Sequence, residues 1–323
     1  MRIDFHSHIF PPSFMDHLSG RKEIPRVTPG EKWPLLWYGP EVSVGIYPQA
    51  SSVERRIEDA DKLGIDLEVL SVTLPGVDTL PLSEATMLAR RMNDDMARVV
   101  SDHPTRFAGL GTVPLQDLPA AISEMEYAVK QLGLKGVAIY SNVAGDPYSR
   151  SNYLDFFAAA ADLGAVLFMH PTYPAMAHVL GTHGFMHANV GYLADTTLAI
   201  ANLIYTGVFE KVPGLKIVFA HLGGAAPYLI GRWDHSYGHG YRPEGLTQAP
   251  SQYLKRAYLD TISMNPAAIR LAMELMSTDH LVFGSDYPFI DIESNLETVG
   301  SLGLSSQDQA KIFETNARQL LGL

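Results

Sequence analysis

From residue 52 onward the chain alternates short apolar runs of strand length with amphipathic stretches of helix length, and this period limits the folds open to it. With a first strand at Ile3–His6, the strand segments read as Leu67–Thr73, Phe107–Gly111, Gly136–Ile139, Ala165–His170, Lys216–His221, Ala257–Asp260 and Leu281–Ser285. Helices are predicted between them, near 52–63, 83–103, 117–132, 151–163, 192–206, 224–237, 265–276 and 305–321. Start signals include Ser83 before Glu84, and Asn265-Pro266; Gly64, Gly133 and Gly164 mark ends. Eight strands alternating with helices over 323 residues predict an α/β fold, a (β/α)8 TIM barrel, as one domain spanning 1–323. The alternative is a doubly wound open sheet. It calls for a Gly-rich phosphate turn after the first strand, where this chain has His6-Ser7-His8.

Residues 11–50 break the pattern. They hold Pro11, Pro12, Pro25, Pro29, Pro34, Pro40 and Pro48 together with Trp33, Trp37, Tyr38 and Tyr47, and read as a long irregular insertion acting as a lid. Trp33, Trp37 and Tyr47 are candidates for a pocket wall there. Lys+Arg 24 against Asp+Glu 35 gives a net charge of −11, without the basic footprint of a nucleic-acid binder. Cysteine is absent, which excludes thiolate metal sites and a Cys nucleophile. Nothing reads as a secretory leader or a membrane span, so the expected setting is cytoplasmic, without a membrane partner.

The chemistry gathers at strand ends. His6 and His8 stand two apart, and in a strand i and i+2 face the same side. His170 and His221 end the fifth and sixth strand segments, and Asp286 follows the eighth. In a barrel these carboxyl ends open onto one rim, where barrel enzymes place their active sites. One histidine capping a strand is usually structural; four histidines and a carboxylate meeting at one rim are harder to ascribe to packing. Imidazole plus carboxylate suits zinc first and also manganese, iron or cobalt. The strand end Tyr140-Ser141-Asn142 offers no lysine or glutamate to bridge a second ion, so one divalent metal is expected. His17, His103 and His280 read as surface residues, as do His178, His183 and His187. His235 and His239 read as lining a subunit contact, and Arg232 as a structural ion-pair partner.

The segments Ile3-Asp4-Phe5-His6-Ser7-His8, Arg106–Pro114, Val208–Pro213, His221-Leu222-Gly223-Gly224 with Gly231-Arg232, and Gly284-Ser285-Asp286-Tyr287-Pro288-Phe289 carry a resemblance that runs nearly end to end. The chain resembles the amidohydrolase superfamily, and within it the decarboxylase branch related to 2-amino-3-carboxymuconate 6-semialdehyde decarboxylase. The resemblance implies that His6, His8, His170 and Asp286 are metal ligands. It implies that His221 activates a metal-bound water and acts as acid/base. It also implies a homodimer in which Arg242, ahead of Pro243, contacts a small carboxylic acid substrate from the neighbouring subunit.

The chain departs from that branch in its pocket. Val44 stands where the branch carries a carboxylate-gripping arginine, and no arginine occurs in residues 27–54. Ala188 or its neighbours fall where the branch has a tryptophan, and Leu222 replaces a glycine. Valine cannot replace a guanidinium as the bidentate partner of a carboxylate. The reading is therefore a metal-dependent, non-oxidative decarboxylase of a small unsaturated or aromatic carboxylic acid, less charged than the muconate semialdehyde. A metal-dependent hydrolase of amides or lactones is the alternative the same residues permit, and a metal-binding protein without catalysis is the third.

Overall fold

A computed structural model of the chain describes residues 1–149, 153–181 and 184–323. Eight parallel staves form a closed barrel: β1 (Ile3–His8), β5 (Leu67–Ser71), the broken stave β6 and β7 (Phe107–Gly109 and Gly111–Thr112), β8 (Gly136–Tyr140), β9 (Val166–His170), β10 (Lys216–Phe219), β11 (Tyr258–Asp260) and β12 (Leu281–Val282). The first and last staves close it, with Phe5 N–H donating to Phe283 O at 2.8 Å and His8 N–H to Tyr287 O at 2.8 Å. The fold is the predicted (β/α)8 barrel.

Alternation along each stave divides the apolar residues into two layers. Val166, Phe168, Val218, Ala220 and Val282 pack with Ile3 and Phe5 inside the barrel. Leu167, Met169, Ile217, Phe219, Leu281 and Phe283 face outward into a larger core with the surrounding helices. The helices follow the predicted segments closely. Asn265 caps Pro266–Met276 by accepting from Ala267 N–H at 3.0 Å, and Gly64 closes Val53–Leu63 at φ 70°. Helix Leu82–Asp102 starts one residue before Ser83, and Pro81 takes the cap position. The beginning of the helix expected over 151–163 lies outside the described residues. Helix Ile292–Gly300, which the sequence reading omitted, is capped by Asp291 accepting from Ser294 N–H at 2.7 Å.

The insertion is not irregular. It folds into the helix Pro12–Ser19 and an antiparallel sheet of β2 (Arg26–Thr28), β3 (Leu35–Gly39) and β4 (Val42–Gly45). Its prolines suggested disorder of pattern, yet they flank the strands rather than interrupt them: Pro25 and Pro29 bracket β2, and Pro34 and Pro40 bracket β3.

Behind the first stave lies a buried ion pair. Arg56 sends one nitrogen to His8 O at 2.6 Å and the other to Glu68 and Ser7 Oγ. The Tyr287 ring lies 5.0 Å from the guanidinium. Removing one partner of such a pair leaves an uncompensated buried charge, which costs about 3–5 kcal/mol. Arg56→Met is therefore expected to lower urea-unfolding stability by about that amount, and a loss below about 1 kcal/mol would show that water reaches Glu68.

Candidate metal centre and cleft

The local chain path decides where the histidines point. A register shift between Asp4 and Ser7 places a bulge in β1, the device that re-aims side chains beside active sites. Phe5 and His6, adjacent in sequence, therefore both pack edge-on against Phe168, at centroid distances of 6.0 and 4.8 Å. After the bulge His6 and His8 share the interior side, with rings 4.7 Å apart. His170 continues the inward face of Val166 and Phe168. His221 and Asp286 reach the same point from loops, and both hold left-handed backbone, φ 52° and 62°. Non-glycine residues rarely adopt that conformation, and it concentrates at functional sites. Leu222 shares it at φ 55° in the position where the branch has glycine. Its side chain is buried in the outer core, which offsets the conformational cost.

The five predicted side chains converge. His6, His170, His221 and Asp286 each present an atom within 4.8 Å of the others. His8 Nε2 lies 2.8 Å from His6 Nε2 and 3.1 Å from Asp286 Oδ1, which also stands 3.4 Å from His6 Nε2. Asp286 Oδ2 is 3.3 Å from His221 Nε2.

Outer partners fix the ring tautomers. His6 Nδ1 donates to Asp260 Oδ2 at 2.6 Å, His170 Nδ1 to Pro171 O at 2.7 Å, and His8 Nδ1 to Ser71 Oγ at 3.1 Å. With Nδ1–H turned outward, each Nε2 lone pair faces the centre, as metal-ligating histidines require. His170 Nε2 is buried without any hydrogen-bond partner. Two imidazole nitrogens 2.8 Å apart need positive charge between them, either a proton carried by His6 or a metal ion. Two ligands about 2.0–2.1 Å from one ion, at near right angles, are about 3 Å apart. The donor set thus fits one divalent cation.

The electrostatics agree. Burial pushes His8 down to about 4 and holds His170 well below the usual imidazole range, so both are neutral donors at pH 7. Burial also opposes charge on His6, but the carboxylates of Asp286 and Asp260 outweigh it and raise the ring to about 9. Burial would raise Asp286, yet His6, His221 and His8 hold its carboxyl well below the ordinary range. The centre favours one positive charge, and an ion supplies it.

One organising residue escaped the sequence reading. Asp260, at the end of β11, accepts from the backbone N–H of His221 (3.0 Å), Leu222 (2.9 Å) and Ile262 (3.0 Å) while holding His6. The signal was present, since Asp260 ends an apolar strand run just as His170 does.

A cleft of about 650 Å³ opens above the centre. His170, His221 and Asp286 form its floor, and Val44, Ala188, Tyr38, Tyr192 and Phe289 stand in its walls. Val44 and Ala188 lie where the pocket was expected to differ. Trp33, Trp37 and Tyr47 do not line it: Trp37 bonds Thr28, and Trp33 packs on Tyr47. Arg242 does not line it either; it is exposed, with Nε donating to Tyr237 O at 2.9 Å. Arg232 is exposed and forms no ion pair among the described residues. His187, expected at the surface, is buried against Tyr173, because its helical turn folds back over the cleft. His178 is exposed as expected, and His183 lies outside the described residues. His235 and His239 stack on each other at the exposed end of the helix Ala226–Gly238.

A closed barrel with histidines and an aspartate converging at the carboxyl ends of its staves defines a metal-dependent barrel enzyme architecture. The chain belongs to the amidohydrolase family, whose pattern matches residues 3–323. It is similar to 2-amino-3-carboxymuconate-6-semialdehyde decarboxylase of Dictyostelium discoideum, with 34% identity over 72% of this chain and 66% of that one. Among solved structures, 5-carboxyvanillate decarboxylase of Sphingomonas paucimobilis matches with a TM-score of 0.88 and 28% identity over 100% of this chain and 99% of the other. A dihydroxybenzoic acid decarboxylase of Polaromonas sp. JS666, holding manganese and 2-nitroresorcinol, matches with a TM-score of 0.85 and 25% identity over 100% and 97%. These relatives are decarboxylases of the same superfamily. No described helix is long and apolar enough to cross a membrane.

Losing an outer-shell partner of a metal-bound histidine costs about 10–100-fold in metal affinity. Asp260→Asn is expected to weaken binding of Mn²⁺ or Zn²⁺ in a chelator-competition titration by that range. Unchanged affinity would place the ion elsewhere.

Proposed function

We propose that the protein is a metal-dependent, non-oxidative decarboxylase of an aromatic or unsaturated monocarboxylic acid. The observation that carries this reading is the ring of inward-facing Nε2 atoms of His6, His8 and His170 with Asp286 on the floor of an otherwise weakly polar cleft. In it His6, His8, His170 and Asp286 hold one divalent ion, zinc or manganese. Such an ion acts as a Lewis acid toward oxygen atoms of the substrate and disperses negative charge as the carbon–carbon bond breaks.

The chain's own groups supply the rest. Loss of CO₂ leaves an electron pair on the ring or alkene carbon, and that carbon must gain a proton. His221 is the group placed to deliver it: its ring borders the cleft, and its Nε2 faces Asp286 Oδ2. Imidazole suits this task because its ordinary pKa of about 6.5 lies near neutrality. Asp286 orients that ring, and Asp260 holds the His221 backbone, so the proton donor is fixed before substrate arrives. Val44, Leu74, Leu193, Ile262, Phe289 and Ile290 give the cleft apolar walls that suit a planar ring. Arg242, which does not line this cleft, would meet a substrate carboxylate only across a homodimer contact.

Release of CO₂ from a panel of benzoic and unsaturated acids by the metal-loaded protein tests the reading, with lactones and amides run beside them for hydrolysis. Hydrolysis without CO₂ release would replace decarboxylase by hydrolase. His221→Asn is expected to keep its metal and lose about 10²–10⁴-fold in kcat. A variant that keeps full activity removes His221 from proton transfer.

A further inference from the structure

The cleft contains a polar device that the metal centre does not use. Tyr38 and Tyr192 both line it, and their hydroxyls meet at 2.7 Å. Each is delivered by a break in regular structure. Tyr38 sits where the β3–β4 register shifts between Trp37 and Gly39. Tyr192 opens the helix Tyr192–Tyr205 directly after a π-helical turn, His187–Gly191. Bulges and π-turns of this kind re-aim side chains at functional positions. Here two such breaks, 154 positions apart, aim two phenols at one point.

The proton count is uneven. Two phenols carry two protons and the contact between them uses one. Among the described residues neither hydroxyl has another hydrogen-bond partner. Burial raises both phenols above their ordinary range, so both are neutral O–H groups at neutral pH. The pair lines the same cleft as His170, His221 and Asp286. No lysine or arginine lines the cleft among the described residues. A substrate group here is recognised by a neutral donor and not by a cation.

We propose that the Tyr38–Tyr192 hydroxyl pair is a specificity site that donates one hydrogen bond to an uncharged oxygen substituent of the substrate, such as a methoxy, keto or phenolic oxygen. The preferred substrate is then an oxygen-substituted aromatic monocarboxylic acid. Among the described residues of one subunit, no cation lines the cleft to neutralise a second carboxylate at this position. The inference rests on the decarboxylase reading for placing the reacting carboxylate at the metal centre.

Benzoic acids bearing methoxy, acetyl or hydroxyl groups, each compared with its methyl or ethyl isostere, provide the test with wild type, Tyr38→Phe, Tyr192→Phe and the double variant. A site that hydrogen-bonds a substrate oxygen discriminates against the analogue that lacks it. Wild type is expected to favour the oxygen-bearing member of each pair in kcat/KM by about 10–100-fold. Either phenol left alone still carries an O–H to donate, so the double variant Tyr38→Phe/Tyr192→Phe is expected to bring that ratio to within about threefold of unity. Calorimetric binding of methoxyphenols against cresols should lose the same preference, and the two single variants, each with a lowered ratio, decide the matter if the double variant fails to melt cooperatively. CO₂ release with an unchanged ratio in every folded variant discards the tyrosine site and keeps the decarboxylase. Binding preference lost in the variants, with no CO₂ from any acid, keeps the tyrosine site and discards the decarboxylase.

Discussion

One buried carboxylate ties the centre together. Asp260 is fully shielded from solvent and accepts four hydrogen bonds, three from backbone amides and one from His6. Several donors converging on one carboxylate hold it rigid. It fixes the tautomer of His6 and, through the same oxygens, pins the left-handed turn that carries His221. The proposed metal ligand His6 and the proposed proton donor His221 therefore share a support. A displacement at Asp260 reaches both, so the two proposed roles are mechanically linked in this barrel.

The barrel and the convergence of side chains at its rim were legible because both rest on strong, local patterns. Strand-length apolar runs ending in histidine or aspartate need only period and position to be read, and His6, His8, His170, His221 and Asp286 meet where their strand ends implied. What was not legible depended on contacts between distant segments. The β2–β4 sheet was hidden by proline content, although the prolines sit just outside each strand. His187 was assigned to solvent because nothing in its neighbourhood shows that the chain folds back onto Tyr173. The cleft wall was misjudged for a subtler reason. Trp33, Trp37 and Tyr47 are the conspicuous aromatics, but a bulge in β3 turns Tyr38 inward instead, and bulges leave little trace in composition.

The cleft concentrates charge at its floor and none at its walls. Its polar selectivity then falls to hydroxyls and amides, which report hydrogen-bonding patterns more finely than they report charge. The arginine position taken by Val44 is consistent with this division. In the proposed reading, the floor holds the reacting carboxylate and the neutral groups above it discriminate among substrates.

The closure of the barrel has a temporal consequence. Its first and last staves are neighbours in space, and the bond from Ser285 N–H to Asp4 links positions 281 residues apart. His6 and His8 precede Asp286 by 280 and 278 positions in the chain. A growing chain therefore makes His6, His8 and His170 well before Asp286, and the proposed site is complete only when the last stave has closed the ring against the first.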